Sequence, residues 1–218
     1  MWWRSVAHVG DRWGTSRVEA FSDGVFAIAI TLLVIEIHLP PHDEVLRLGG
    51  VASALGSLWP SYTGYAISFI VIGIMWANHH NLMKLVARVD HGFLTLTLLL
   101  LMCVAFLPFP TAVMAEHLVD PDAHERAVAV AFYCGCFTVT AIFYFLMWLH
   151  AARGRRLIAT DVPDDTVRAI TRAYAPGWML YLLATLLAFV HVGLSLAIVV
   201  GLAILYMLPR AGAHAATR

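Results

Sequence analysis

The chain has 218 residues, 61% of them hydrophobic and 13% charged, with a formal net charge of zero. Soluble domains carry about a quarter charged residues, so this composition excludes an ordinary soluble globule and leaves little chain for a separate soluble domain. No basic tract is present, which excludes a nucleic-acid partner held by phosphate contacts.

Residues 1–16 are polar apart from Trp2, Trp3 and Trp13, and read as a cytosolic arm whose tryptophans meet lipid headgroups. No apolar run of the length of a secretory signal occurs there. The first span is expected from Arg17 to His38, with no charge between Asp23 and Glu36, and Pro40-Pro41 ends it. At about 1.5 Å per residue it crosses a hydrocarbon layer of roughly 30 Å. On a helix advancing about 100° per residue, Gly24, Ile28, Thr31 and Ile35 form one narrow stripe with Leu32 at its edge. Arg17 and Asp23 lie about 120° apart on the same helix and must find partners elsewhere.

The second apolar stretch, Leu48 to Leu85, is too long for one straight span, and Pro60 is expected to kink or start its helix. It closes on Trp76-Ala77-Asn78-His79-His80-Asn81. A third span is expected from Phe93 to Met114, bent or stopped at Pro108-Phe109-Pro110-Thr111. A fourth runs from about His124 or Ala127 to His150, followed by Arg153, Arg155 and Arg156. Pro163-Asp164-Asp165 reads as a helix start. The block from Tyr174 to Leu208 divides at His191-Val192-Gly193 into two short spans. Six spans result, in an all-α membrane domain over 17–209, with 210–218 as a cytosolic tail. Cys103, Cys134 and Cys136 all fall in apolar segments and read as small buried hydrophobes.

Six spans place both termini on one side. Of the 14 Lys and Arg residues, all but Arg47 and Arg126 then share that side, which marks it as cytoplasmic. Arg17, Ser22 and Asp23 open the first helix at that face, and Trp76, His79 and His80 close the second there, so the two polar groups share one depth. A hydrogen-bonded scaffold between the helices satisfies such groups, and a role in ion entry or pH sensing stands beside it. Glu36, repeated about an axis, makes an acidic ring at an outer mouth; a single carboxylate bonded at the interface is the other reading.

Arg17, Phe21, Ser22 and Asp23 spell Arg-x-x-x-Phe-Ser-Asp. With Gly24 to Thr31, Trp76, His79, His80 and Pro108-Phe109-Pro110-Thr111, the chain resembles the transmembrane protein 175 family of potassium channels, in its prokaryotic one-repeat form. The resemblance runs from about Arg17 to Pro209. It implies a homotetramer in a bacterial plasma membrane, the first helix innermost and potassium the permeant ion, with neither catalytic residues, metal nor cofactor. It implies that Ile28 lies at a hydrophobic constriction, that Thr31 adds a hydroxyl layer, and that Leu32 and Ile35 add apolar layers. Phe21 and the polar residues then hold that helix in place. There is no carbonyl filter sequence and no arginine-rich voltage sensor, so preference for potassium over sodium is expected to be modest.

Two other classes remain open from sequence alone. A proton- or metal-coupled transporter needs ionisable groups at mid-depth, and the spans lack acidic ones there. A haem protein needs paired histidines inside spans, but most of the 11 lie at span ends or in loops, and His79 and His80, about 100° apart, cannot both face one iron.

Overall fold

In the computed structural model the described residues are 14–207, and helix is their regular secondary structure apart from one isolated β-bridge. Trp2, Trp3, Trp13 and the tail from 208 onward lie outside them. The helices are α1 (Thr15–Leu32), α2 (His42–Arg47), α3 (Val51–Ser57), α4 (Trp59–Met83), α5 (His91–Phe106), α6 (Pro108–His117), α7 (Ala123–Ala152), α8 (Asp164–Tyr174), α9 (Gly177–Leu187) and α10 (Val192–Met207).

Proline sets most of the boundaries. Pro60 occupies the first turn of α4, where its missing N–H has no intrahelical partner to lose, so the helix starts there rather than kinking. The lead before it folds into α2 and α3, two short helices joined through Gly49 and Gly50 at φ 91° and 109°, a backbone region that glycine enters without a Cβ clash. Pro108 and Pro110 interrupt the ladder between α5 and α6, and the Thr111 hydroxyl donates to the Leu107 carbonyl at 2.8 Å, satisfying part of the gap. Pro163 precedes α8, whose first turn carries Asp164 and Asp165 at the positive end of its dipole.

Three stretches are long and apolar enough to cross a membrane: Trp59–Met83, His91–His117 and Ala123–Arg155. The expected first and fifth spans are shorter than the sequence reading. Regular α-helix in α1 ends at Leu32, and the chain tightens into turns with Ile35 N–H donating to Leu32 O and Ile37 N–H to Val34 O. Pro40 and Pro41 disfavour helix behind them, which is why Ile35 to His38 do not continue it. α9 has 11 residues and spans only about 16 Å.

α7 is the central element and packs against α5, α6, α9 and α10. Its Tyr133, Phe137, Met147 and Trp148 are fully enclosed, and complete removal of such side chains from water is worth about 1.5–3 kcal/mol each. α1 lies against α4, α5 and α6. A buried hydroxyl triad joins three helices at the centre: Ser68 Oγ meets Thr111 Oγ1 at 2.8 Å and Tyr133 Oη at 2.9 Å. Of the cysteines, Cys134 is buried and Cys103 and Cys136 are half-buried, all as free thiols.

At the end where α4 finishes, the loop after it pairs with the segment after α7. Ala87 N–H donates to Leu157 O at 2.8 Å and Ala159 N–H to Leu85 O at 2.9 Å, around the Val86–Ile158 bridge. Asp90 caps α5 by accepting from Phe93 N–H at 2.8 Å and receives His150 Nε2 at 2.8 and 3.0 Å. Gly92 makes room for that histidine, since a Cβ there would stand 2.6 Å from His150 Cε1. Partial burial works to raise the Asp90 carboxyl, but Phe93 N–H, His150 and Arg156 outweigh it and hold it below its ordinary 3.8.

Candidate pore-lining helix and its polar anchor

α1 has one face committed to the protomer and one that is not. Val18, Ser22, Phe26, Ala29 and Leu33 are buried, at three- and four-residue spacing. Ile28 is 60% exposed and Ile35 61%, Gly24 and Thr31 are exposed, and Leu32 at 38% lies at the margin. Among the described residues, apart from its own turn of helix, nothing comes within 4 Å of a Cβ placed on Gly24. Ile30, on the other side, is half-buried against the core. Exposed branched apolar residues in a row on a membrane-protein helix face either lipid or another subunit. The Thr31 hydroxyl donates to the Ile28 carbonyl at 2.8 Å, which directs its proton into its own helix and leaves oxygen lone pairs on the exposed face.

The anchor is a pair of cross-helix bonds in antiparallel register. Trp76 Nε1 donates to Asp23 Oδ1 at 2.8 Å, and one turn away His80 Nδ1 bonds Glu19 Oε1 at 2.7 Å. Glu19 and Asp23 are four apart on α1, as Trp76 and His80 are on α4, so both bonds form on facing stripes. The Trp76 and His80 rings stack at 6.1 Å with an interplanar angle of 19°.

His79 is fully buried with its ring 5.6 Å from Phe26, and neither ring nitrogen has a hydrogen-bond partner among the described residues. Ser22 is also buried but bonds its own helix, at the Val18 carbonyl, 2.8 Å away. Arg17 and Phe21 are exposed, and the Arg17 side chain has no hydrogen bond or ion pair among the described residues. The set expected to form one buried network therefore divides. Asp23, Trp76 and His80 meet across the helices, Ser22 stays local, His79 packs against an aromatic, and Arg17 faces away from the protomer.

Glu19 is the residue that the sequence reading passed over. Its signal was present as the matching four-residue spacing on two helices of opposite direction. The Ser68, Thr111 and Tyr133 triad was also missed, and only the shared depth of three separate spans identifies it. Glu36 is half-buried, and its carbonyl lies 3.0 Å from His38 Nδ1. Among the described residues no cluster of histidine, cysteine and carboxylate has the makings of a metal site.

Long apolar helices, a hydroxyl-tied core and one helix with an unmatched apolar face define a multi-pass α-helical membrane protein. Residues 17–108 match the family model described as endosomal/lysosomal potassium channel TMEM175. A potassium channel of Chamaesiphon minutus is 49% identical over 89% of this chain and 94% of its own length, and one of Streptomyces collinus is 46% identical over 84% and 86%. The crystal structure of a lysosomal potassium-selective channel TMEM175 homolog from Chamaesiphon minutus superposes with a TM-score of 0.79 at 48% identity, covering 88% of this chain and 95% of that one. The chain belongs to the TMEM175 family.

Proposed function

We propose that this chain forms a potassium channel in a bacterial plasma membrane, as a homotetramer in which α1 of each subunit lines a central pore. The observation that carries the reading is the two-faced α1: a stripe through Gly24, Ile28, Thr31 and Ile35 is exposed while its back is packed on α4, α5 and α6. One helix face encloses nothing, and copies arranged around an axis enclose a channel. The high identity to two proteins named potassium channels supplies the ion.

In this reading α1, α4, α5 with α6, α7, α9 and α10 are the six spans, and both termini are cytoplasmic. The distribution of arginines supports that orientation. Ile28 forms the tightest ring, Leu32 and Ile35 add apolar layers toward the outer side, and the Thr31 oxygens contribute a polar layer between them. A ring of branched side chains closes a pore by excluding water and discriminates ions through hydration, so preference for potassium over sodium is modest. Glu36 stands near the outer mouth, where four carboxylates concentrate cations.

Planar-bilayer recording under opposed potassium and sodium gradients tests the assignment. Ile28→Asn wets the ring, so current rises and potassium preference falls. Leu33→Asn places a polar group on the buried face and lowers the amount of folded protein without raising current. Parental currents from Ile28→Asn together with a gain from Leu33→Asn or Ile30→Asn would put the pore on the other face.

A further inference from the structure

At the α4-terminal end of the bundle a groove of about 800 Å³ opens between α5, α7 and α8. Its rim is His150, Arg153, Arg168 and Arg172, and its floor includes Leu146 and Leu149. Among the described residues no carboxylate lines it, though Asp90 bonds His150 at its edge. A smaller hollow of about 410 Å³ shares His150 and Arg153 and adds Arg156. We infer that this groove binds an anionic phospholipid of the cytoplasmic leaflet, its phosphate among the arginines and an acyl chain along the leucines. The inference rests on the reading of the chain as a membrane-spanning channel.

The depth is right for a headgroup. α5 begins at His91 and α7 ends at Ala152, so the basic rim lies where two spans leave the apolar layer. Leu146 and Leu149, 40% and 37% exposed, lie within the last two turns of α7 and face the acyl region. α8 supplies the wall. Its Val167 is buried, its Arg168 and Arg172 are exposed one turn apart, and Trp148 Nε1 holds it to α7 through Thr171 Oγ1 at 2.8 Å. An apolar face tucked inward with a row of arginines outward is the pattern of a helix lying in the membrane interface.

The charge is also available. Asp165, which holds Arg168 at 2.7 Å, is not part of the groove lining; His150 and Arg156 share Asp90, and Arg153 and Arg172 form no ion pair among the described residues. Basic pockets between spans at the cytoplasmic side take anionic headgroups for this reason. A free phosphate has no use for the leucine floor. A second subunit is a poorer occupant, because Glu19, Asp90, Asp164 and Asp165 at this end already hold partners within the chain.

The test is native mass spectrometry of the full-length assembly in mild detergent, with phosphatidylglycerol and phosphatidylcholine of identical acyl chains and with inorganic phosphate. The parent is expected to retain phosphatidylglycerol over phosphatidylcholine and to retain no inorganic phosphate. Each arginine near the surface contributes roughly fivefold in affinity, so Arg153→Gln/Arg168→Gln/Arg172→Gln weakens phosphatidylglycerol retention on the order of 100-fold, and Arg47→Gln at the opposite end leaves it unchanged. If the triple variant does not fold, Arg153→Gln alone is expected to weaken retention about fivefold. Equal retention of the two lipids, parental retention by the arginine variants, or retention of inorganic phosphate in place of lipid would each overturn the assignment. Loss of the oligomer in Arg153→Gln with lipid retention intact would mark the groove as a subunit contact instead. Potassium flux is measured on the same preparations: lipid selectivity without flux speaks against the channel, and flux without lipid selectivity speaks against the groove.

Discussion

Two polar clusters pin α4, and they differ in how completely they are satisfied. Halfway along, Ser68, Thr111 and Tyr133 are fully enclosed, and Ser68 reaches both partners within 2.9 Å. Near its end, Trp76 and His80 reach Asp23 and Glu19, yet Trp76 is 42% exposed and buried His79 has no polar partner among the described residues. The first cluster joins α4 to α6 and α7, the body of the protomer. The second joins α4 to α1, the helix proposed to line the pore. A closed hydroxyl network in an apolar core locks one arrangement, because every alternative strands a buried group. A half-exposed pair of bonds lets the two helices shift relative to one another, since water replaces whatever is lost. The difference is that between a contact closed to water and one that water can compete with.

Removing Tyr133 is the largest way to break this contrast. Tyr133→Ala deletes an enclosed aromatic and a hydroxyl partner of Ser68, and is expected to destabilise by about 3–5 kcal/mol. Tyr133→Phe, which strands only the hydroxyl contact, is expected to lose about 1–3 kcal/mol. Thermal unfolding in detergent reads both, and an unchanged midpoint for Tyr133→Phe would show that the triad is not the lock described here.

A smaller effect is expected at the other cluster. Asp23→Ala takes an acceptor from a tryptophan that water already reaches, so its cost within the protomer is about 1 kcal/mol. Yield of assembled protein should fall while the ratio of potassium to sodium current stays parental, measured by size-exclusion chromatography and reversal potentials. A changed ratio with normal yield would move Asp23 into the ion path. Arg17→Ala sharpens the same point. The Arg17 side chain has no ion pair or hydrogen bond among the described residues, so a loss of assembly from Arg17→Ala reports a partner beyond them.

The smallest expected effect is a pH dependence at Asp90, which lies on the body side. Its folded-state carboxyl is held below 3.8 by Phe93 N–H, His150 and Arg156 against partial burial. A depressed carboxyl contributes stability that is present above the unfolded value and lost as pH falls through the folded one. The Asp90 contribution is therefore complete at neutral pH and disappears below about pH 4. Asp90→Asn should flatten the acid limb of the unfolding midpoint there.

Much of the architecture was legible in the residues. Pro60, Pro108, Pro110 and Pro163 lack an N–H, and each stands where a helix starts or breaks in the structure. The periodicity of α1 separates Ile28 and Thr31 from Leu33 because a helix places residues three and four apart on one side, whatever surrounds it. Periodicity alone did not say which side would be buried, since both carry apolar residues; the resemblance put Ile28 and Thr31 outward, and in the structure α4, α5 and α6 pack against Phe26, Ala29 and Leu33. The early end of α1 at Leu32 escaped notice because hydrophobicity runs on to Ile37 while helical hydrogen bonding does not.

Composition determined a membrane protein, and the Arg-x-x-x-Phe-Ser-Asp run determined the resemblance, because both are properties of residues taken singly or in a short window. The pairing of Glu19 with His80, the packing of His79 against Phe26, the Ser68–Thr111–Tyr133 triad and the arginine-rimmed groove are contacts between segments tens of residues apart. Their partners are fixed by the rotation and depth of each helix in the bundle, and a linear pattern does not carry those coordinates.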